Sequence, residues 1–318
     1  MKVFRALSLV TVVVATAGAC SATDAAPPPT TSTSTPSQTP RLTVPTATAL
    51  DQQLIAAAWK NDVEAARRLI AAGADVNAVD TTVQSAFLIA ASEGYVELLD
   101  LTLKHGADVR SLDSYRGTAL IRAAERGHAA VVGRLLRAGV AVDHVNKLGW
   151  TALHEAVLLG EGTPQYVETV RLLVAAGADR AKPAERDGVT PVQGARKLGQ
   201  NAVSAALEAE RPDSPAAALL AAATSGDANQ AAAALAAGAP VESADSKRRT
   251  ALLLASLNDR VEVARLLVAL GADPDAQDDR RDSAWLVTGV TGSVAMLERV
   301  CFRRSRISPC AIGSGASR

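Results

Sequence analysis

The side chains able to ligate a metal or attack an electrophile are few and far apart. The histidines are His105, His128, His144 and His154, and the cysteines Cys20, Cys301 and Cys310. A metal site needs such groups clustered at close spacing, and these are spread along the chain. Ser92, Ser204 and Ser225 have no recognisable activating base, so nucleophilic catalysis has no candidate. Gly289 and Gly292 lack the spacing and the following lysine of a phosphate-cradling loop. Asp108 and Asp179 return at a regular interval, which marks turn formers rather than a paired acid and base. The expected class is a non-enzyme with no cofactor and no metal.

Charge gives no alternative chemistry. The 33 basic residues equal the 33 acidic ones, so no net field draws nucleic acid or an anionic membrane. Lys247, Arg248, Arg249, Arg280 and Arg281 form a short basic strip, but Asp245, Asp278, Asp279 and Asp282 are interleaved with it. That mixture reads as a solvated surface, and no nucleic-acid partner is expected.

The elements that position these residues follow from a recurrence. Gly73, Gly106 and Gly139 each close an apolar helix-like run and fall thirty-three residues apart, as do Gly238 and Gly271. Such a period implies stacked helical hairpins, each burying its apolar face against the next. In the second unit Ser85 opens a helix that reaches Glu93-Gly94. A second helix spans Val96 to Lys104, and a short exposed hairpin ends at Asp113. Gly94 and Gly106 follow helix ends, where glycine takes the left-handed conformation cheaply.

These units resemble ankyrin repeats. The family's opening turn appears as Thr118-Ala119-Leu120-Ile121, Thr151-Ala152-Leu153-His154, Thr190-Pro191-Val192-Gln193 and Thr250-Ala251-Leu252-Leu253. Threonine there caps the free N–H groups of a first helix. Leu135-Leu136, Leu172-Leu173 and Leu266-Leu267 are the second-helix core pairs, and the resemblance gives His128 and His154 structural roles. It implies an all-α solenoid of helix-turn-helix units with short β-hairpin fingers, seven to eight repeats long, running from Leu50 to about Val300.

Departures from the pattern locate boundaries. Residues 50–211 read as a first array of five repeats. Its fourth repeat carries extra residues at Glu161 to Gln165 between its helices, and its fifth lacks a finger. Residues 213–300 read as a second array of about three repeats, the last incomplete. Both arrays start without the turn motif. The lost finger argues for a hinge or offset between them, with end-to-end stacking the other option. Residues 301–318 break the repeat and read either as the product of a frameshift or truncation, or as a native basic tail with a Cys301–Cys310 disulfide.

The amino terminus reads as an export signal. Lys2 and Arg5 precede an uncharged apolar run too short to span a bilayer, so residues 1–19 are expected to be a signal peptide. Small residues before Cys20 favour its lipidation and anchorage outside the cytoplasm. Cleavage after Ala19 to give a soluble secreted protein is the alternative. Residues 20–49, rich in Ser, Thr, Pro and Ala, read as a disordered tether.

Ankyrin partners usually lie along the concave face formed by fingers and first helices. Register places Trp59, Thr82, Tyr115, Arg116, Arg126, Leu148, Trp150, Leu158, Leu159 and Arg186 there or at its rim. Tyr115, Leu148 and Trp150 stand out, because a chain with three tryptophans and three tyrosines puts an aromatic on each of two adjacent fingers. Such residues often dominate binding energy. The expected function is an extracytoplasmic scaffold that recruits or inhibits a secreted or envelope protein through residues 50–190. The second function class is a structural envelope spacer with no specific ligand.

Overall fold

The computed structural model describes residues 48–291 and Met296. The leader, Cys20 and the tether up to residue 47 lie outside the described residues, as do 292–295 and 297–318, which include the tail at 301–318. The chain forms helix pairs α1 (Ala49–Trp59) and α2 (Val63–Ala71), α3 (Ala86–Glu93) and α4 (Val96–Lys104), α5 (Ala119–Glu125) and α6 (Ala129–Arg137), α7 (Ala152–Leu158) and α8 (Pro164–Ala175), and α9 (Pro191–Lys197) and α10 (Asn201–Glu208). Then follow α11 (Pro215–Ser225), α12 (Ala228–Ala236), α13 (Ala251–Leu257), α14 (Val261–Leu270) and α15 (Ala284–Thr291).

Local chemistry sets these boundaries. Thr118, Thr151, Thr190 and Thr250 each accept a hydrogen bond from the backbone N–H three residues on, satisfying a donor that a helix start leaves free. Gly94 ends α3 at φ 77°. Asp75, Asp108, Asp179 and Asp273 each accept from the N–H two residues on, which confirms their turn-forming role. Two boundaries shift from the sequence reading. Helix α1 starts at Ala49, because Thr48 and Asp51 form a reciprocal capping box that fixes the first turn. In the fourth unit Pro164 and Gln165 extend α8 rather than the loop, proline being well suited to a first turn.

The fingers are reduced versions of hairpins. Only the isolated bridges Leu112↔Thr118 and Ala244↔Thr250 occur among the described residues. The first helices α1, α3, α5, α7 and α9 stack in one row, and α2, α4, α6, α8 and α10 in a second row behind them. The leucine pairs lie in this core, although Leu136 is only half-buried.

The later helices neither prolong these rows end to end nor stand apart from them. Helix α12 packs on α8 and α10, and α14 packs on α6 and α8. The chain doubles back, and second helices meet second helices. Helices α11, α13 and α15 form the outermost row. Alanine makes this possible. Ala231, Ala232, Ala233 and Ala234 of α12 are all fully buried, and four consecutive residues turn through a whole helical circuit. A helix buried on every side belongs inside a protein. At the α6/α14 crossing a Cβ on Gly133 would stand 2.9 Å from the Ala269 carbonyl oxygen. The rim carries ion pairs, Arg171 to Glu262 and Arg265 to Glu168, each at 3.3 Å, and Arg171 Nε donates to Asn229 at 2.7 Å. These pairs are partly exposed, and each contributes at most about 1 kcal/mol.

Candidate protein-binding face

With α6, α8 and α10 covered by α12 and α14, the first helices and fingers of the first array form the opposite face. Five fingers are each built on one acceptor side chain, five residues before the capping residue; the finger between α8 and α9 instead uses Asp187, which accepts from the Val189 N–H. Asp80 accepts from the N–H groups of Thr82 and Gln84. Asp113 does the same for Tyr115 and Gly117, Asn146 for Leu148 and Trp150, Asp245 for Lys247 and Arg249, and Asp278 for Arg280 and Asp282. One oxygen closing two N–H groups fixes the tip. Neighbouring tips are joined directly: Lys147 N–H donates to the Tyr115 carbonyl and Glu185 N–H to that of Gly149.

The candidate residues fall into two rows on this face. Thr82, Tyr115, Arg116, Leu148, Trp150 and Arg186 sit on the fingers, and Trp59, Arg126, Leu158 and Leu159 at the C-terminal ends of first helices. Tyr115 is 54% exposed and Trp150 only half-buried. Arg122 lies over the Tyr115 ring, 5.5 Å from its centre, a cation–π distance. Several candidates also have internal work. Thr82 donates its hydroxyl to Asp80, Arg126 bonds Glu93 and the Ser92 carbonyl, and Arg186 reaches the Lys147 carbonyl. Arg116 occupies a fingertip corner at φ 55°, and Leu148 is half-buried while Leu159 is exposed.

Between the two rows lies a charged cluster that the sequence reading missed. Asp113 is buried, not exposed at the end of a hairpin, and its second oxygen accepts from Arg122 Nε. Arg122 Nη1 donates to Glu125 at 2.9 Å. One repeat on, Asn146 Nδ2 donates to Glu155 Oε1 at 2.7 Å. Glu155 is 3% exposed, and its Oε2 has no hydrogen-bond partner. The signal was available: Asp113 and Asn146 are thirty-three residues apart, as are Arg122 and Glu155, at a helix position occupied by Ile89 and Leu254 elsewhere.

The histidines take structural places. His128 Nε2 bonds the Ser92 carbonyl at 3.1 Å, tying the third repeat to the second. His154 is buried, pairs with the Thr151 hydroxyl and faces the backbone of Lys182 and Val189. Burial lowers the pKa of both rings, because desolvation favours the neutral form. Among the described residues no group of three or more His, Cys, Asp or Glu is arranged to hold a metal.

Comparison with known families identifies the architecture. The family model for ankyrin repeats matches in three overlapping copies, residues 54–142, 87–184 and 122–215, together more than half of the chain. A single-repeat model matches residues 247–279. The chain belongs to the ankyrin repeat family. One similar solved structure is an ankyrin repeat domain from Acinetobacter baumannii AYE, 47% identical over 50% of this chain and 85% of that chain, with a TM-score of 0.48. No curated protein matches. Ankyrin arrays are protein-interaction scaffolds, and the face of fingers and first helices is the uncovered side of this one's early repeats.

On that ankyrin face the Glu155 carboxyl is pushed up to about 7 by burial and by the negative charge of Glu125, against the pull of Asn146 and Arg122. An ordinary glutamate titrates near 4.5. Between those values the folded chain holds a proton that the unfolded chain has shed. Stability present below the lower value should therefore fall as pH rises through the window, by at most about 1.4 kcal/mol per pH unit, and level off above it. Urea titrations at stepped pH should show this slope in the wild type. Glu155→Gln should flatten it, and an unchanged slope would assign the titration to another group.

Proposed function

We propose that this protein is an exported ankyrin scaffold, held outside the cytoplasm by a lipid on Cys20, that recruits or inhibits one secreted or envelope protein. The observation that carries the binding reading is Tyr115: an aromatic 54% exposed on a finger clamped at its base and joined to its neighbour. Preorganised aromatic anchors give binding energy at small entropic cost. The charged run-in, the short apolar stretch and the small residues before Cys20 support export and anchorage.

The test is capture from intact cells after mild crosslinking. Wild type would be compared with Tyr115→Ala/Trp150→Ala, matched for melting temperature, and with Cys20→Ser. A protein recovered by wild type and lost from the aromatic double variant is the expected result. Cys20→Ser should leave the membrane fraction while retaining its partner in solution. Equal recovery by wild type and double variant would remove the aromatic anchor, and no specific recovery would favour a spacer.

A further inference from the structure

With all its carboxylates ionised, the cluster behind Tyr115 is two positive charges short. Three carboxylates, Asp113, Glu125 and Glu155, surround one guanidinium, and Arg122 is already committed to Asp113 and Glu125. Glu155 keeps only the neutral amide of Asn146, leaving a buried oxygen with no donor. An ionised carboxylate in that position is costly unless a counter-charge or a proton reaches it. The register position on α9 is Gly194, which adds no side chain.

The cluster reaches the surface at its outer edge. The Arg122 and Glu125 side chains are each 26% exposed, and Tyr115 stands at the edge. A glutamate side chain has enough rotatable bonds to turn toward that rim. Asn146 couples the cluster to the fingers, because the amide that holds Glu155 also anchors the Leu148 and Trp150 backbone through its oxygen.

We propose that the outer edge of the cluster between α5 and α7 receives a lysine or arginine side chain from the bound protein, with Glu155 turned outward as its ion-pair acceptor and Tyr115 beside it. This rests on the partner-binding reading of the face and adds the partner's chemistry. The incoming cation replaces the proton that otherwise neutralises Glu155. The charged and polar groups facing that carboxyl are Glu125 and Arg122 from α5 and Asp113 and Asn146 from the fingers. Binding should therefore tighten as pH rises, opposite to the pH dependence of stability. For a group titrating at about 7, the ionised fraction grows about tenfold from pH 6 to pH 8.

The experiment is an NMR titration of the full chain with N-acetyl-arginine amide at pH 6 and pH 8, with N-acetyl-glutamate amide as the control. Saturable shifts at the Tyr115 and Asn146 amides are expected, about tenfold tighter at pH 8. They should be absent with the control and in Glu155→Gln, whose folded state is checked from its unshifted core methyls. No saturable shift, or equal binding by Glu155→Gln, would overturn the proposal. If these fail while Tyr115→Ala/Trp150→Ala still loses its captured protein, the face binds a partner without a cation at Glu155. Arginine-amide binding with no captured protein would support the cation site and sink the scaffold reading instead.

Discussion

Replacing Asp113 with alanine should cost about 3–5 kcal/mol, the effect typical of removing one partner from a buried ion pair. The side chain is fully buried and has three partners. Oδ1 accepts from the Tyr115 and Gly117 N–H groups, both at 2.8 Å, and Oδ2 accepts from Arg122 Nε. Alanine leaves two fingertip donors unsatisfied and a half-buried guanidinium short of its counter-charge. Asp113→Asn is the informative companion. It keeps the oxygen that closes the fingertip and loses only the charge, as Asn146 does naturally in the next finger, so a smaller cost of about 1–2 kcal/mol is expected. Urea unfolding of both variants measures this. A loss below about 1 kcal/mol for alanine would show that water takes over the donors at little cost.

Gly133→Leu should open the contact between the two layers of second helices. The position has no room: the first added carbon would stand 2.9 Å from the Ala269 carbonyl oxygen and 3.0 Å from its Cβ. Glycine costs about 1 kcal/mol relative to alanine inside a helix, so an uncrowded site would be stabilised by Gly133→Ala. Here the obstacle is backbone on a second helix, which cannot rotate aside, and the expected sign is reversed. We expect alanine to cost about 1–3 kcal/mol and leucine more, as overpacked sites do. Leucine should also let α14 lift from α6, which X-ray scattering would read as a larger radius of gyration. A compact Gly133→Leu of wild-type stability would mean the two layers are not held in contact at this crossing.

Both results bear on function through the same geometry. Asp113 holds Tyr115 in place, so its loss should weaken partner capture even where the array stays folded. Gly133 lies on the covered side, so opening the layers should leave capture through Tyr115 intact. The pair separates damage to the binding face from damage to the scaffold.

The residues that define the individual repeats were legible because their causes are local. Threonine caps an N–H three residues away, glycine at Gly94 relieves a left-handed turn, and aspartates such as Asp108 close turns two residues on. None of these needs a distant neighbour. The exposure of Tyr115 was equally legible, since fingertips project from the helices that carry them. The Asp113–Arg122–Glu125 and Asn146–Glu155 cluster was not read, although its thirty-three-residue spacing was present. Its meaning depends on residues of two fingers and two helices converging, and polar residues on a first helix look like a solvated surface until burial is known.

Sequence alone thus determined the repeat, the helix boundaries to within a turn and the exposure of Tyr115, because short-range hydrogen bonding and periodic burial set them. Tertiary structure decided how the later helices use their surface. A run such as Ala231 to Ala234 has no apolar stripe pointing in one direction, so its periodicity cannot say which neighbour it meets. Only the close approach of α12 and α14 to α8 and α6, which small side chains and Gly133 permit, folds the chain back on itself and leaves the fingers and first helices of the early repeats as the face open to a partner.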